Sequence, residues 1–458
     1  MKKLIWGLLF LIFFTTGISF AVEEKTTVRV GISNNSFSTY EHSSASFILV
    51  EPSSVVDIRG SEKKELEPNS ILDVKISDGN FIIDINGKTE IENAKGPIVI
   101  TSSGKIGIKD LKRKGTPANY EGMIELKATK PDKFNIINVL SMQSYLKGVV
   151  PNEMPISFGY EALRAQAVAA RNYANRPNGA YANYDVCDST ACQVYYGANS
   201  RTEISDKAVD STLGLYALYN NEIILALYSS TPGGITENYL DTFGNFIEDK
   251  PYLKSVKDSE DLKKLNEEDF FKKAPPSFDM NSPKYRWQKK FTRFELEDIL
   301  SKTLAEQSKI GAVEPKFTSD CNFYGLEDIK VLKRGESNKV LEIEVKSVSG
   351  NYTVKKELPI RRLLKSNGQI LPSANFITEK EFDKKAEKEE QETIEDKEEV
   401  IFKTEKAEDE NKTELLSKLE EGQKRIYRTR TGKRLPSEFI FFGAGFGHGV
   451  GMSQYGAG

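Results

Sequence analysis

The 458-residue sequence predicts an α+β protein. Short segments rich in β-branched residues, separated by Asn/Gly/Ser turns, fill residues 22–120, whereas helical and strand-like segments alternate over residues 121–378. A Lys/Glu-rich run occupies residues 379–434 and precedes a last apolar segment at 435–458. These patterns predict a β-rich N-terminal region, a mixed α/β region in two pieces (121–378 and 435–458), and a charged, disordered insertion between the pieces.

The first residues predict export. Met1–Lys3 is positively charged, Leu4–Phe20 is almost continuously apolar, and Ser19–Ala21 has the small-x-small pattern of a signal-peptidase site. The apolar run is shorter than the roughly 20 residues of a spanning helix. We therefore expect residues 1–21 to be a signal peptide or, alternatively, an uncleaved N-terminal anchor, and the rest of the protein to be extracytoplasmic.

Composition argues against two classes of protein, nucleic-acid-binding proteins and small disulfide-stabilised scaffolds. Hydrophobic residues make up 38% of the chain and aromatic residues 10%, which is enough for packed cores. A net charge of −3 gives no support for a nucleic-acid partner, and three cysteines are too few for a disulfide scaffold.

Individual elements follow from periodicity and turn signals. We expect helices near residues 160–174, 205–212 and 293–309. We expect strands at residues 28–32, 81–85, 97–101, 105–108, 133–139, 215–228, 235–239 and 340–348, and one that starts at Phe439.

The charged run has too few apolar residues to hold a fold. We interpret it as a polar tether, with one exposed helix at Thr413–Leu419, although a role in binding the wall or a partner is the alternative.

A single carboxylate stands out in Gly148–Pro155, where Glu153 lies in an apolar stretch flanked by prolines. We expect this stretch to be a poorly hydrated loop that disfavours the charged form of the carboxyl, which suits a general acid. The alternative is an ordinary surface glutamate. The helix that follows carries Arg164 and Arg171, which suit anionic or hydroxyl-rich ligands but are as commonly solvated or ion-paired.

Two later segments combine polar side chains with glycines. Tyr228–Gly234 clusters Ser229, Ser230 and Thr231 beside a Pro-Gly-Gly turn, which fits either a sugar-binding turn or a plain hairpin. A Gly-x-Gly-His-Gly-x-Gly run surrounds His448 but lacks the context of a dinucleotide or phosphate site. His448 is therefore either a catalytic or ligand-orienting side chain, or a structural one.

Cys187 and Cys192 have a spacing compatible with zinc and equally with a short disulfide. A nearby histidine is missing from the sequence around them, so the metal signal is weak.

Five motifs occur together in order: Val-Val-Pro-Asn-Glu-Met-Pro, Ala-Leu-Arg-Ala-Gln-Ala-Val-Ala-Ala-Arg-Asn-Tyr, Cys-Gln-Val-Tyr-Tyr-Gly, Ser-Thr-Pro-Gly-Gly-Ile-Thr-Glu and Gly-His-Gly-Val-Gly-Met-Ser-Gln-Tyr-Gly-Ala. In this order they resemble the stage II sporulation protein D family, which includes the amidase enhancers. The resemblance covers most of residues 123–458. It implies that Glu153 is the catalytic glutamate and that a substrate-binding cleft includes Arg164, Gln166, Arg171, Tyr173, Ser229, Ser230, Thr231, His448, Ser453 and Gln454.

The same resemblance implies an exported lytic transglycosylase that needs no cofactor and is associated with the cell wall. It would cleave the β-1,4 bond between N-acetylmuramic acid and N-acetylglucosamine in peptidoglycan glycan strands and leave 1,6-anhydro-muramyl ends, with Glu153 as general acid and base. The alternative is a non-catalytic enhancer whose partner is an N-acetylmuramoyl-L-alanine amidase.

Two departures from the family pattern matter. Some members bind a structural zinc through a histidine and two cysteines, and this chain keeps Cys187 and Cys192 without a histidine between Tyr181 and Cys192. Members also usually continue beyond the Ser-Gln-Tyr-Gly-Ala motif, which raises the expectation that a sequence ending at Gly458 is truncated.

Overall fold

The computed structural model describes residues 25–175, 180–244, 249–259, 262, 265–382 and 434–458. The predicted signal peptide or anchor (1–21), the predicted helix Thr413–Leu419 and most of the charged insertion lie outside these ranges. The chain divides into two compact units. The first comprises Met1–Val149, Ala170–Ser200 and Thr212–Leu225, and the second comprises Val150–Ala169, Arg201–Ser211 and Ala226–Gly458.

The first unit is built mainly from strands. They are β1 (Thr27–Ile32), β2 (Glu41–His42), β3 (Ser44–Leu49), β4 (Ser53–Asp57), β5 (Glu62–Leu66), β6 (Ser70–Ser77), β7 (Asn80–Ile85), β8 (Lys88–Ala94), β9 (Ile98–Ser102), β10 (Ile106–Arg113), β11 (Thr116–Tyr120), β12 (Met123–Lys130), β13 (Lys133–Ser141), β14 (Val186–Cys187), β15 (Leu218–Tyr219) and β16 (Glu222–Ile223).

Two large sheets and the two-stranded hairpin β15-β16 form this unit. One has the order β14-β1-β13-β12-β9-β4-β5, with β2 also on β13, and the other has the order β11-β10-β3-β6-β7-β8. Pairing is antiparallel except between β1 and β14. Alternate residues such as Ile98 and Ile100 are fully buried. The ring centroids of Phe81 and Phe134, one from each of the two large sheets, are 5.5 Å apart. The α+β class and the β-rich N-terminal region are therefore confirmed.

Two helices supply residues to both units. They are α1 (Met142–Glu153) and α2 (Tyr160–Asn175), joined through a 3₁₀ turn at Ile156–Phe158.

The second unit mixes helices and strands. Its elements are α3 (Glu203–Asp210), β17 (Tyr228–Ser229), α4 (Tyr239–Phe243), α5 (Glu267–Lys272), β18 (Arg286–Thr292), α6 (Arg293–Lys309), β19 (Val313–Glu314), β20 (Leu326–Arg334), β21 (Val340–Ser347), β22 (Gly350–Lys355), α7 (Glu357–Leu363), β23 (Phe376–Glu381), β24 (Glu438–Ala444), β25 (Met452–Ser453) and α8 (Gln454–Ala457).

Helix α6 packs on the core of this unit. The Thr292 hydroxyl caps its first turn by accepting from Glu295 N, and Leu296, Leu300 and Leu304, spaced four residues apart, are fully buried. Antiparallel sheets β18-β24-β23 and β19-β22-β21-β20, helix α7 and the loops between them supply the rest of that core. The predicted boundaries of this helix are confirmed.

The predicted strands at 215–228 and 235–239 are wrong. Asn220 and Asn221 adopt positive φ values of 51° and 63°, so the first segment contains a tight hairpin between two-residue strands. In the second segment the Asn238 side chain accepts from Leu240 N and caps α4, which starts at Tyr239. Local turn and cap chemistry outweighs the apolar composition in both places.

Within the described part of the chain, no helix combines the length and apolar character required to cross a bilayer.

Candidate functional site

Glu153 is the last residue of α1, so the prediction of a loop at this position is wrong. The helix contains Pro151 and continues through it. Val149 and Val150 are fully buried, and we attribute the persistence of the helix to this burial, which outweighs the cost of a proline in the last turn. Glu153 is half-buried. The structure thus places the carboxylate on a regular helix end rather than on an irregular segment.

Gln454 connects this helix end to the last helix of the chain. Its Nε2 donates to the backbone oxygen of Glu153 at 2.7 Å and to Oε1 of Gln166 at 3.2 Å. The last carbonyls of a helix have no partner within the helix, so this amide satisfies one of them. Gln454 is 7% exposed and Gln166 is fully buried.

The first serine of the Tyr228–Gly234 turn joins the same group. Strand β17 pairs in parallel with β25, which sets Ser229 opposite Ser453, immediately before Gln454. Tyr455 N also donates to Ser230 O at 3.1 Å. We call Glu153, Gln166, Ser229 and Gln454 the Gln454 cluster.

Two atoms of this cluster are buried without a hydrogen-bond partner among the described residues. They are Nε2 of Gln166 and Oγ of Ser229. Buried polar atoms are almost always paired in folded proteins, because an unpaired one costs about 1–3 kcal/mol. A bound polar ligand or water is the ordinary way to satisfy such atoms, so the cluster is a candidate binding site.

Thr231 has a different role from the serines before it. It is fully buried, and its hydroxyl donates to Oδ2 of Asp279 at 2.5 Å. The same carboxylate oxygen accepts from the backbone of Gly233 at 2.8 Å and Gly234 at 3.2 Å. The Thr231 hydroxyl therefore holds the turn in place.

His448 is a neutral side chain with a fixed orientation. Burial lowers its pKa to about 4, and the positive charges of Lys339 and Arg361 act in the same direction. Its Nδ1 accepts from Val450 N at 3.1 Å, and the ring also bonds to the backbone of Tyr228. A neutral imidazole cannot act as a proton donor of ordinary acidity at neutral pH, so the geometry favours the structural alternative.

The glycine run around His448 serves close packing. Gly449 and Gly451 both have positive φ, at 76° and 81°. A Cβ on Gly449 would lie 2.5 Å from Cγ of Glu237, and one on Gly451 would lie 2.1 Å from the backbone oxygen of Leu227. Only glycine fits these positions, which explains the run without a nucleotide ligand.

Glu237 and Asp279 are buried carboxyls to which the sequence reasoning gave no role. Burial raises the pKa of Glu237 to about 8, and its Oε2 accepts from the Ser337 hydroxyl. Glu237 N donates to Gly449 O at 2.9 Å, so the residue supports the glycine run. Glu237 is the last residue of the Ser-Thr-Pro-Gly-Gly-Ile-Thr-Glu motif, so the sequence did contain a signal for it. Nothing in the sequence distinguishes Asp279 from other aspartates.

The arginines and the tyrosine of α2 belong to different units. Arg164 belongs to the second unit and pairs with Glu161 at 2.7 Å. Arg171 and Tyr173 belong to the first unit. Arg171 is fully buried, and its guanidinium donates to Leu215 O and to the Thr212 hydroxyl, both at 3.2 Å, so its described partners lie within the first unit.

Cys187 and Cys192 form a disulfide in the first unit. Of the two alternatives for this pair, the structure thus has the disulfide. Across the described ranges, no group of three or more His, Cys, Asp or Glu side chains is placed to hold a metal ion. The structural zinc stays a prediction.

Two family models match the chain. Residues 130–219 match the stage II sporulation protein family, SpoIID, and residues 243–394 match a domain of unknown function, DUF8618. The first match contains Glu153 and Gln166. Ser229 and Gln454 lie outside both matches, and the structure shows the contact between Gln454 and the helix end at Glu153.

Three curated proteins show the extent of the similarity. The amidase enhancer of Bacillus subtilis (strain 168) is 28% identical over 331 residues, 68% of this chain and 37% of that protein. Stage II sporulation protein D of the same strain is 33% identical over 195 residues, 38% of this chain and 50% of that protein. An uncharacterised protein of Brachyspira hyodysenteriae is 38% identical over 128 residues, 27% of this chain and 34% of that protein.

The aligned region of this chain spans between about a third and a half of the length of these relatives. The motifs, the family model and two of the named relatives agree on one assignment. For residues 130–219, the resemblance to the stage II sporulation protein D and amidase-enhancer family is therefore confirmed.

Proposed function

We propose that the protein acts on peptidoglycan in the bacterial cell envelope as a lytic transglycosylase, with Glu153 as general acid and base. The observation that carries the proposal is the Gln454 cluster, in which Gln454 fixes the helix end that bears Glu153. The neighbouring buried atoms of Gln166 and Ser229 offer hydrogen bonds to a polar ligand. The family match over residues 130–219 supports the same assignment.

The proposed reaction needs one carboxyl group. The Glu153 carboxyl donates its proton to the glycosidic oxygen as the bond between that oxygen and the anomeric carbon of N-acetylmuramic acid breaks. The resulting carboxylate then accepts the proton of the sugar's 6-hydroxyl, whose oxygen bonds to the anomeric carbon. Glu153 ends as it began, no water is consumed, and the product is a 1,6-anhydro-muramyl end.

Ordinary glycosidases use two carboxyl groups, whereas the intramolecular attack proposed here replaces the second with a hydroxyl of the substrate. Because that hydroxyl is held next to the anomeric carbon, its effective concentration is high. The Ser229 hydroxyl and the Gln166 amide are the groups that we propose to bind hydroxyl or acetamido groups of the sugar. The reaction as written requires no cofactor.

The test is the product spectrum from peptidoglycan glycan strands. Because Glu153 carries both proton transfers, we expect Glu153→Gln to reduce the release of anhydro-ended fragments by at least about 100-fold, measured by mass spectrometry. Glu161→Gln is the matched control, because Glu161 is exposed and pairs with Arg164 on the next helix. Normal turnover by the Glu153 variant would overturn the mechanism.

A second function is favoured by one comparison. The Bacillus subtilis protein that aligns with 68% of this chain is named an amidase enhancer. In that alternative the protein would bind and stimulate an N-acetylmuramoyl-L-alanine amidase without cleaving glycan. Stimulation of a purified amidase that survives Glu153→Gln, together with no anhydro product from the wild-type protein, would support the enhancer over the enzyme.

A further inference from the structure

Two exposed phenylalanines flank the turn that carries Ser229 and Thr231. Phe278 is 73% exposed and Phe446 is 45% exposed, and both belong to the second unit. Large apolar side chains that are exposed beside a polar site commonly mark a ligand-binding surface.

Both phenylalanines are anchored to Thr231. Phe446 pairs with it directly, since Phe446 N donates to Thr231 O at 2.7 Å. Phe278 precedes Asp279, whose buried carboxylate accepts the Thr231 hydroxyl at 2.5 Å and the Ser277 hydroxyl at 2.6 Å. The rings are exposed although their backbones are held firmly, so their exposure does not reflect a loosely packed loop.

Phe278 also lies against the helix that begins with Gln454. A Cβ placed on Gly456 would lie 3.6 Å from Cβ of Phe278. Gly456 is two residues from Gln454, whose amide contacts Glu153. Phe446 lies next to Gly447, where an added Cβ would be 3.4 Å from Cβ of Ser229. The two rings are therefore attached to the immediate surroundings of the Gln454 cluster.

We propose that Phe278 and Phe446 form an aromatic platform that binds an N-acetylhexosamine ring of the glycan strand beside the Gln454 cluster. A pyranose ring has an apolar face of C–H groups, and the negative face of an aromatic ring attracts such hydrogens. The buried polar atoms of Ser229 and Gln166 would bind its hydroxyl or amide groups. This inference rests on the proposed function and gives the DUF8618 segment, which contains Phe278, a direct contact with substrate.

The test measures binding separately from cleavage. In the Glu153→Gln background, which cannot turn over substrate, affinity for an uncharged N-acetylglucosamine oligomer is measured by calorimetry. From the energies of aromatic contacts, we expect Phe278→Ala and Phe446→Ala each to weaken binding by about tenfold. Phe278→Trp should bind as well as the parent, whereas Phe278→Leu, which keeps apolar area but loses the ring, should bind as weakly as Phe278→Ala.

Phe382→Ala is the matched control, because Phe382 is 43% exposed in the same unit and lies at the end of β23. Its affinity should equal that of the parent. Unchanged affinity in both platform variants, or no binding by the parent, would overturn the platform. Loss of anhydro products with Glu153→Gln alongside full binding by the platform variants would reject the platform and leave the proposed function standing.

Discussion

Two buried polar groups, one in each unit, differ in charge and in what they contact. In the first unit, Asp188 and Arg113 form an ion pair at 2.5 Å with both side chains fully buried, and Ser33 N also donates to the carboxylate. In the second unit, the Gln454 cluster contains the uncharged buried atoms Gln166 Nε2 and Ser229 Oγ, which have no partner in the described part of the protein. Unpaired buried atoms also occur at Arg113 Nε and at Gln307 Oε1 of α6, so an unpaired atom alone does not mark a ligand site. The contact of Gln454 with the helix end at Glu153 is what distinguishes the Gln454 cluster.

The largest expected effect is on the buried ion pair. Asp188→Asn leaves the Arg113 guanidinium buried without its counter-charge, so we expect the free energy of unfolding to fall by about 3–5 kcal/mol, measured by chemical denaturation. Glu125→Gln is the control, since Glu125 pairs with Arg29 at 2.7 Å in a partly exposed position and should cost less than about 1 kcal/mol. Equal losses in the two variants would show that burial does not make the Asp188–Arg113 pair more important to stability than a partly exposed pair.

The second prediction concerns Gln454. Gln454→Ala removes the donor to the helix end at Glu153, so we expect anhydro-product release to fall by about 10–100-fold, with a loss of no more than about 1–2 kcal/mol in the free energy of unfolding. Gln307→Ala in α6 is the control, because Gln307 is 5% exposed and belongs to a structural helix. If both variants lost stability and kept activity, the Gln454 cluster would be a structural group like the ion pair.

The smallest expected effect is a pH dependence of the free energy of unfolding that arises from Glu237. Its pKa is raised from 4.5 to about 8, so the folded protein holds a proton that the unfolded chain has already lost. The stabilisation is therefore complete below pH 4.5 and is lost as the pH rises to 8. Over pH 7–8 we expect a fall of about 1 kcal/mol in the free energy of unfolding, which Glu237→Gln removes.

Two other groups are excluded from that window. Burial raises the pKa of Asp258 to about 6, and the pKa of His448 is lowered from 6.5 to about 4, so both have largely completed their titration in the folded and unfolded protein by about pH 7. Asp258→Asn is therefore the control, and its effect should be confined to lower pH. A slope above pH 7 that persists in the Glu237 variant would assign it to another residue.

Hydrophobic periodicity predicted the long helix α6 correctly, whereas proline and turn signals predicted helix ends less well. Helix α6 has the predicted limits because Thr292 caps it and leucines recur every fourth residue. The loop predicted at Glu153 is a helix end, because burial of the preceding valines outweighs the local signal of Pro151. Rules based on neighbouring residues predict the cost of a proline in a helix, but they do not include the burial of side chains that offsets this cost.

The candidate site was only partly accessible from sequence. The motifs include Glu153, Gln166, Ser229 and Gln454, which the structure brings together, but also Arg171, which it places in the first unit. Phe278 lacks a motif altogether, since its position depends on how the carboxylate of Asp279 holds a turn far away in sequence. Long-range hydrogen bonds of this kind leave no periodic signal.

The contact between Gln454 and Glu153 joins residues that are 301 positions apart. In the order of synthesis, Glu153 and its helix are made early, and the amide that bonds to the helix end is made 301 residues later. Every shorter nascent chain therefore carries the carboxylate without its capping partner. The Gln454 cluster can thus assemble only once translation has passed residue 454.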